Sequence, residues 1–167
     1  MAENIIKKAV GFVDGRCYVG KIRDLNLPDL SLSTEEYRAG GMDAPTTLDM
    51  GMEALEASFV IQPYEAELIK LFGLKERATV PFRVQAARES DDGAVTSVVA
   101  RMRGRITQIG RGTWSAGSVA ETTITMRLDY YEEEIDGETV VEIDVNNYVR
   151  NIGGSDQLEA VRTALGI

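Results

Sequence analysis

Apolar and polar positions alternate along most of the chain, and Asp-Gly pairs punctuate the alternation. Residues 9–13, Asp14-Gly15 and residues 16–22 read as a hairpin, because Asp-Gly accepts the positive φ angles of a two-residue turn. Asp92-Gly93 and Asp136-Gly137 repeat the device between runs rich in Val, Ile, Thr and Tyr, which predicts an antiparallel sheet rather than a βαβ layout. In residues 94–110, Val98, Ala100, Met102 and Ile106 share one face and Arg101, Arg103 and Arg105 the other. In residues 118–135, Ile124, Met126, Leu128 and Tyr130 oppose Glu121, Thr123, Thr125, Arg127, Asp129 and Glu133. Such strands fit a sheet with one face on a core and one in water, where the arginine row can meet acids across the ladder.

Residues 27–37 and 45–61 supply two more strand regions. In the second, Leu48, Met50 and Met52 alternate, then Leu55, Ala57, Phe59 and Ile61 continue with the parity shifted by one. A bulge or bend near Glu53-Ala54 would keep both halves of one long curving strand on the same core. Two helices interrupt the β pattern. In QPYEAELIKLFGL, Pro63 suits the first helical position, Tyr64, Leu68, Leu71 and Phe72 form the stripe laid on the sheet, and Gly73 suits the left-handed closing residue. In GSDQLEAVRTALGI, Ser155 or Asp156 would cap, Leu158, Val161 and Leu165 share a side, and Gly166 closes. No repeat, heptad or linker divides the chain, so one domain over residues 1–167 is expected.

The charge changes the picture more than the length does. Against 18 Lys+Arg stand 27 Asp+Glu, a net charge of −9, which argues against a protein that binds by neutralising phosphates. No histidine is present, removing Ser-His and Cys-His nucleophile pairs and most transition-metal sites. The single cysteine, Cys17, excludes an internal disulfide framework; its strand-like setting predicts a buried apolar role. The start of the chain lacks a signal-peptide pattern and no segment has the roughly 18–20 apolar residues of a membrane span, so a soluble protein made in a cytoplasm is expected.

Candidate chemistry is thin. GRG at 110–112 precedes Thr113-Trp114 rather than a helix, and reads as a turn, not a phosphate cradle. DVNN at 144–147 lacks the glycine and glutamate of a calcium loop and reads as a strand end and turn. Glu132-Glu133-Glu134 reads as a solvated strand tip, and no carboxylate dyad stands out. No catalytic residue, cofactor or metal site is predicted. The residues alone leave function open.

One segment is unusual for a loop: Glu36, Tyr37, Arg38, Gly40, Gly41, Met42, Asp43 and Pro45 stand between two strand regions. The glycines permit unusual backbone angles and the large side chains offer anchors, so contact with a partner is expected, against the alternative of a loop folded on its own domain. This segment and its flanks, NLPDLSLSTEEYRAGGMDAPTTLDMGMEALEASFVI with LIKLFGL, together with LDYYEEEIDGETVVEIDVNNYVRNIGGSDQLEAVRTALGI, resemble the major tail tube protein of contractile-tailed bacteriophages and the related R-type bacteriocins.

The resemblance implies a mainly β (α+β) subunit, an antiparallel β-sandwich or partly open β-barrel with a short flanking helix and a short C-terminal helix. It implies six copies in a ring, rings stacked into a hollow tube, and strands of all six joined in an inner β-barrel. The implied role is structural, in the virion: a channel for DNA at ejection and a tube driven through the host envelope by a contracting sheath. Implied partners are further copies of the chain, the sheath protein, baseplate or tube-initiator and tail-terminator proteins, the tape measure protein during assembly, and DNA in transit without specific binding. An extended assembly loop at about 35–47 would pack between subunits and rings. Glu121, Thr123, Thr125, Arg127 and Asp129 are candidates for the lumen wall from alternation. A bacteriocin or other injection-system tube, or a monomeric ligand-binding sandwich, stays open as an alternative.

Overall fold

The computed structural model of the chain describes residues 5–62, 64–73 and 79–167. In order they form β1 (Ile5–Val13), β2 (Arg16–Cys17), β3 (Ile22–Asn26), β4 (Leu32–Tyr37), β5 (Thr46–Met52), β6 (Glu56–Ile61), α1 (Ala66–Ile69), β7 (Val80–Glu89), β8 (Val95–Gly110), β9 (Thr122–Ile135), β10 (Glu138–Asp144), β11 (Val149–Ile152), β12 (Ser155–Asp156) and α2 (Glu159–Leu165). Every pairing is antiparallel. The main sheet runs β12-β11-β10-β9-β8-β7-β1-β2, and β6 also pairs β9, carrying β3 on its other edge.

The sheet therefore forks at β9, whose first half pairs β6 at residues 122–127 and whose second half pairs β10 at residues 130–135. On the β6 side the sheet curls until Phe59 and Phe82 stack, ring centroids 4.5 Å apart, although β9 and β8 separate their strands. Around that pair lie Ile61, Leu68, Val80, Ile124, Met126 and Ile106, all buried. The two-residue turns form at Asp14-Gly15 (φ 47° and 76°) and Asp136-Gly137 (53° and 83°). Asp92-Gly93 does not: residues 90–94 make a longer loop closed by Ser90 N–H on the Ala94 carbonyl at 3.0 Å, and the Asp92 carboxylate accepts from Ala94 N–H at 3.1 Å.

A bulge decides the faces of β9. Arg103 lies opposite Tyr130 and the next residue, Gly104, opposite Leu128, so Asp129 is the extra residue and the parity flips behind it. Tyr131, not Tyr130, enters the core; Tyr130 lies on the polar face beneath the Arg103 guanidinium, 5.2 Å from the ring centroid. Glu133 moves to the core side, where the Tyr131 hydroxyl donates to it at 2.9 Å, and Glu132 and Glu134 take its place beside Arg101 at 3.1 and 2.9 Å. The crossing is so close that a Cβ on Gly104 would stand 2.0 Å from the Arg127 carbonyl oxygen, which demands glycine there.

Other expectations shift for local reasons. Cys17 is exposed, because it sits opposite Phe12 on the sheet face away from the core. Helix α1 is a single turn; Leu68 is buried, but Phe72 is exposed because Leu71 and Phe72 N–H bond three residues back, at 3.2 and 3.1 Å, and the tightened turn rotates the stripe. Pro63, expected to open that helix, lies outside the described residues. Helix α2 begins after Asp156, whose carboxylate accepts Leu158 N–H at 3.0 Å, and ends at Gly166 with φ 74°. Its expected apolar side is not covered: Val161 and Leu165 are exposed.

Candidate assembly interface

The continuous strand expected over 45–61 is broken. Residues 53–55 leave the ladder, β6 enters the main sheet, and β5 pairs only β4 as a separate two-stranded arm. Glu35 lies opposite Leu48 and Tyr37 opposite Thr46 on one face of this arm; Thr34 lies opposite Asp49 on the other. Leu48, Met50 and Tyr37 are 43%, 57% and 53% exposed, so of the alternating set that predicted a core-facing strand here only Met52, at the base of the arm, packs against the core among the described residues. A two-stranded ribbon is marginal on its own in water, and this one has no third strand among the described residues.

At the tip, residues 38–45, the Arg38 guanidinium donates to the Met42 and Asp43 carbonyls at 3.3 Å each, and Ala39 N–H points at the Met42 sulfur at 3.3 Å. Gly41 takes φ 95°, and a Cβ on it or on Gly40 would meet nothing within 4 Å. Glu36, Asp43 and Pro45 are exposed. The tip is thus shaped by its own backbone bonds while Tyr37 stands out from it.

A second set of residues, of which the sequence marks only Asp156, as a helix cap, ties the arm to the body. Arg150 on β11 reaches Asp49 on β5 at 2.6 Å, and Gly51 N–H donates to the same carboxylate at 2.8 Å. Arg150, and secondly Gly51, hold the Asp49 carboxyl below the usual carboxylate range. Arg150 N–H also donates to Asp156, which Arg162 of α2 contacts at 2.6 Å, and Arg162 in turn donates to the Tyr148 carbonyl at 2.8 Å. Arg162, ahead of the Leu158 N–H, depresses the Asp156 carboxyl as well. These partners are 101 residues apart in the chain for the arm contact, beyond any local pattern.

Between arm, fork and helix lies a cleft of about 680 Å³. Leu55, Leu128 and Ile143 form its floor, and exposed Val145, Tyr148 and Val161 its rim. Tyr148 has φ 54°, a strained angle for a bulky residue, set by the turn that Asp144 holds through Asn146 and Asn147 N–H at 3.1 and 3.0 Å. The residues 144–147 are therefore a strand end and turn, as their sequence implies. Glu53 and Asp129 line the cleft without an ion pair among the described residues.

The other candidates separate. Thr123 and Arg127 are exposed and Thr125 half-buried on the polar face of β9, with Arg127 3.1 Å from Glu56. Glu121 stands before β9, bonded to Arg23 and Gln62, and Asp129 occupies the bulge. Of the arginine row, Arg101 and Arg103 have acidic partners, whereas Arg105 lies opposite Arg127.

Residues 3–166 match the family described as Phage tail tube protein FII. The chain belongs to the phage tail tube protein FII family. It is 30% identical over 160 residues to the tail tube protein of Escherichia phage P2, with 93% of each chain covered. It is 32% identical over 159 residues to the major tail tube protein of Serratia phage KSP20, covering 93% of this chain and 92% of that one. Its fold is similar to that of a chain in the sheath-tube complex of an extracellular contractile injection system in the extended state, TM-score 0.59 at 15% identity, covering 76% of this chain and 88% of that one. A chain from the sheath/tube terminator of the same type of system gives TM-score 0.59 at 12% identity over 78% and 95%. This member of the FII family is a structural tail tube protein of the virion, not an enzyme.

Proposed function

We propose that the chain polymerises as stacked hexameric rings into the inner tube of a contractile phage tail, a channel for DNA ejection and the rigid element driven through the host envelope when the sheath shortens. The observation that carries this reading is the β4–β5 arm: a ribbon with an exposed apolar face, which a lone subunit has no reason to keep and a polymer covers. In that polymer the loop 35–47 is the joint between subunits and rings, and the whole of residues 1–167 acts as one tail-tube domain. Sheath, baseplate and terminator proteins are its partners, with the tape measure protein inside during assembly. The phage relatives favour a phage tail over a bacteriocin or other injection tube.

The polar face of the long strands, with Thr123, Thr125 and Arg127, is the candidate lumen wall, flanked by Glu121 and Asp129. Six copies at −9 give a charge on the order of −50 per ring, which opposes sticking of DNA in transit. Electron microscopy of purified protein tests the assembly: wild type forms stacked hollow rings, and replacing Arg38 and Asp43 together, or deleting Gly40-Gly41, leaves folded subunits that do not polymerise. Normal tubes from those variants remove the loop from the joint, and dispersed wild-type subunits under every condition, baseplate components included, defeat the polymer.

A further inference from the structure

The single tryptophan, Trp114, is 67% exposed, in the loop that joins β8 to β9. It is braced edge-on by Tyr64, ring centroids 5.5 Å apart, so the indole stands out on a support rather than trailing in water. Beside it, Arg111 is exposed and without an ion pair among the described residues, and Val119 is exposed as well. Trp and Arg are the side chains that most often dominate binding at protein interfaces, and a tryptophan buries about 150–250 Å².

The cleft at the fork has the complementary furnishing: an apolar floor of Leu55, Leu128 and Ile143, the carboxylates Glu53 and Asp129 without an ion pair among the described residues, and two cations, Arg127 and Arg150, already engaged by Glu56 and Asp49. Its volume, about 680 Å³, is ample for an indole ring. The two features cannot meet within one subunit. Trp114 lies beyond the start of β9 and the cleft at its bulge, and the seven residue steps from Thr122 to Asp129 span roughly 24 Å of strand.

We propose that Trp114 and Arg111 of one copy of the chain seat in the fork cleft of a second copy, the indole on the apolar floor and the guanidinium between Glu53 and Asp129. Because knob and cleft are different patches displaced along the strands, the contact is heterologous, and repeated head to tail it builds a ring or a stack of copies rather than a two-fold dimer. The inference rests on the polymeric reading above and adds to it the pair of surfaces that meet.

The tryptophan is its own probe. Its emission shifts to the blue when wild type assembles, and Ser115→Cys combined with Val145→Cys in a Cys17→Ser background gives cross-linked ladders on oxidation. Trp114→Ala and Arg111→Glu each raise the concentration needed for assembly tenfold or more, with the far-ultraviolet circular dichroism of the subunit unchanged. Adding Glu53→Arg to Arg111→Glu restores assembly, which a misfolded subunit could not do. Tubes whose tryptophan emission stays that of a water-exposed indole, with no ladders and normal assembly of Arg111→Glu, overturn the seat while leaving the polymer intact. Failure of wild type and all variants to polymerise overturns the polymer and the seat together.

Discussion

Residues 46–52 and 56–61 are neighbours in the chain and alternate in the same way, yet they have opposite fates. In β6, Ala57, Phe59 and Ile61 are buried between the curled faces of the sheet; in β5, Leu48 and Met50 face outward from a ribbon that only β4 completes. The difference lies in what stands opposite. Strand β6 has β9 and β3 on its edges and Phe82 across from Phe59, whereas β5 has one partner strand and one cation, Arg150, behind it. Alternation states which side chains need cover; it does not state whether the cover comes from the same chain.

The sharpest way to break this comparison is to truncate one apolar side chain in each half. Phe59→Ala removes a fully buried ring and costs about 3–5 kcal/mol of subunit stability, while Leu48→Ala changes the subunit by no more than about 0.5 kcal/mol and acts on assembly instead. Urea unfolding of both variants under non-assembling conditions measures this, and a Leu48→Ala loss comparable to that of Phe59→Ala would return the arm to the body of the fold. Next in size is the tie itself. Asp49→Ala frees the arm from Arg150, so amides of residues 32–52 exchange faster with deuterium while the unfolding midpoint of the body stays in place. Unchanged exchange there would show that the arm is held by something other than this pair.

The smallest effect is a pH dependence that divides the same two regions. Asp49 and Asp156 have carboxyls depressed in the folded state, so their stabilisation is present above the unfolded-state value of about 3.9 and is lost as pH falls through the lower folded values. Arm and α2 should loosen below that pH ahead of the curled body, seen as protease cleavage in 32–52 and 156–167 before tertiary structure is lost. At the alkaline end the sign reverses. Burial, then Glu133, raises the Tyr131 phenol, so its contribution is complete below about 10 and fades as pH rises further. That loss belongs to the body, and an arm that is cut first above pH 10 would contradict the division.

Some of the candidate interface can be read from the chain and some cannot. The loop around Gly40-Gly41 stood out because large side chains beside adjacent glycines are wasteful in a turn, and the structure places it at the tip of a projecting arm. In the sequence Trp114 is marked only by its place after the Gly110-Arg111-Gly112 turn, since exposure of one indole is not a property of its neighbours in sequence. The Asp49–Arg150 tie and the clasp of Arg162 on Asp156 join elements by charge across distances at which no periodicity operates. The lumen candidates show the limit differently: one bulged residue, Asp129, was enough to send Tyr131 inward and bring Glu132 and Glu134 to the face assigned to Glu133.

Local chemistry sufficed for the hairpin turns at Asp14-Gly15 and Asp136-Gly137, the antiparallel strands and their apolar faces up to the bulge, and the left-handed end of α2 at Gly166, because each depends on backbone angles and spacing within a few residues. Tertiary structure alone decided the fork at β9, the parting of β5 from β6, the cleft between arm and helix, and which apolar faces remain uncovered. Those depend on which strand wins each edge and on packing between residues far apart in the chain, quantities that no window of sequence contains.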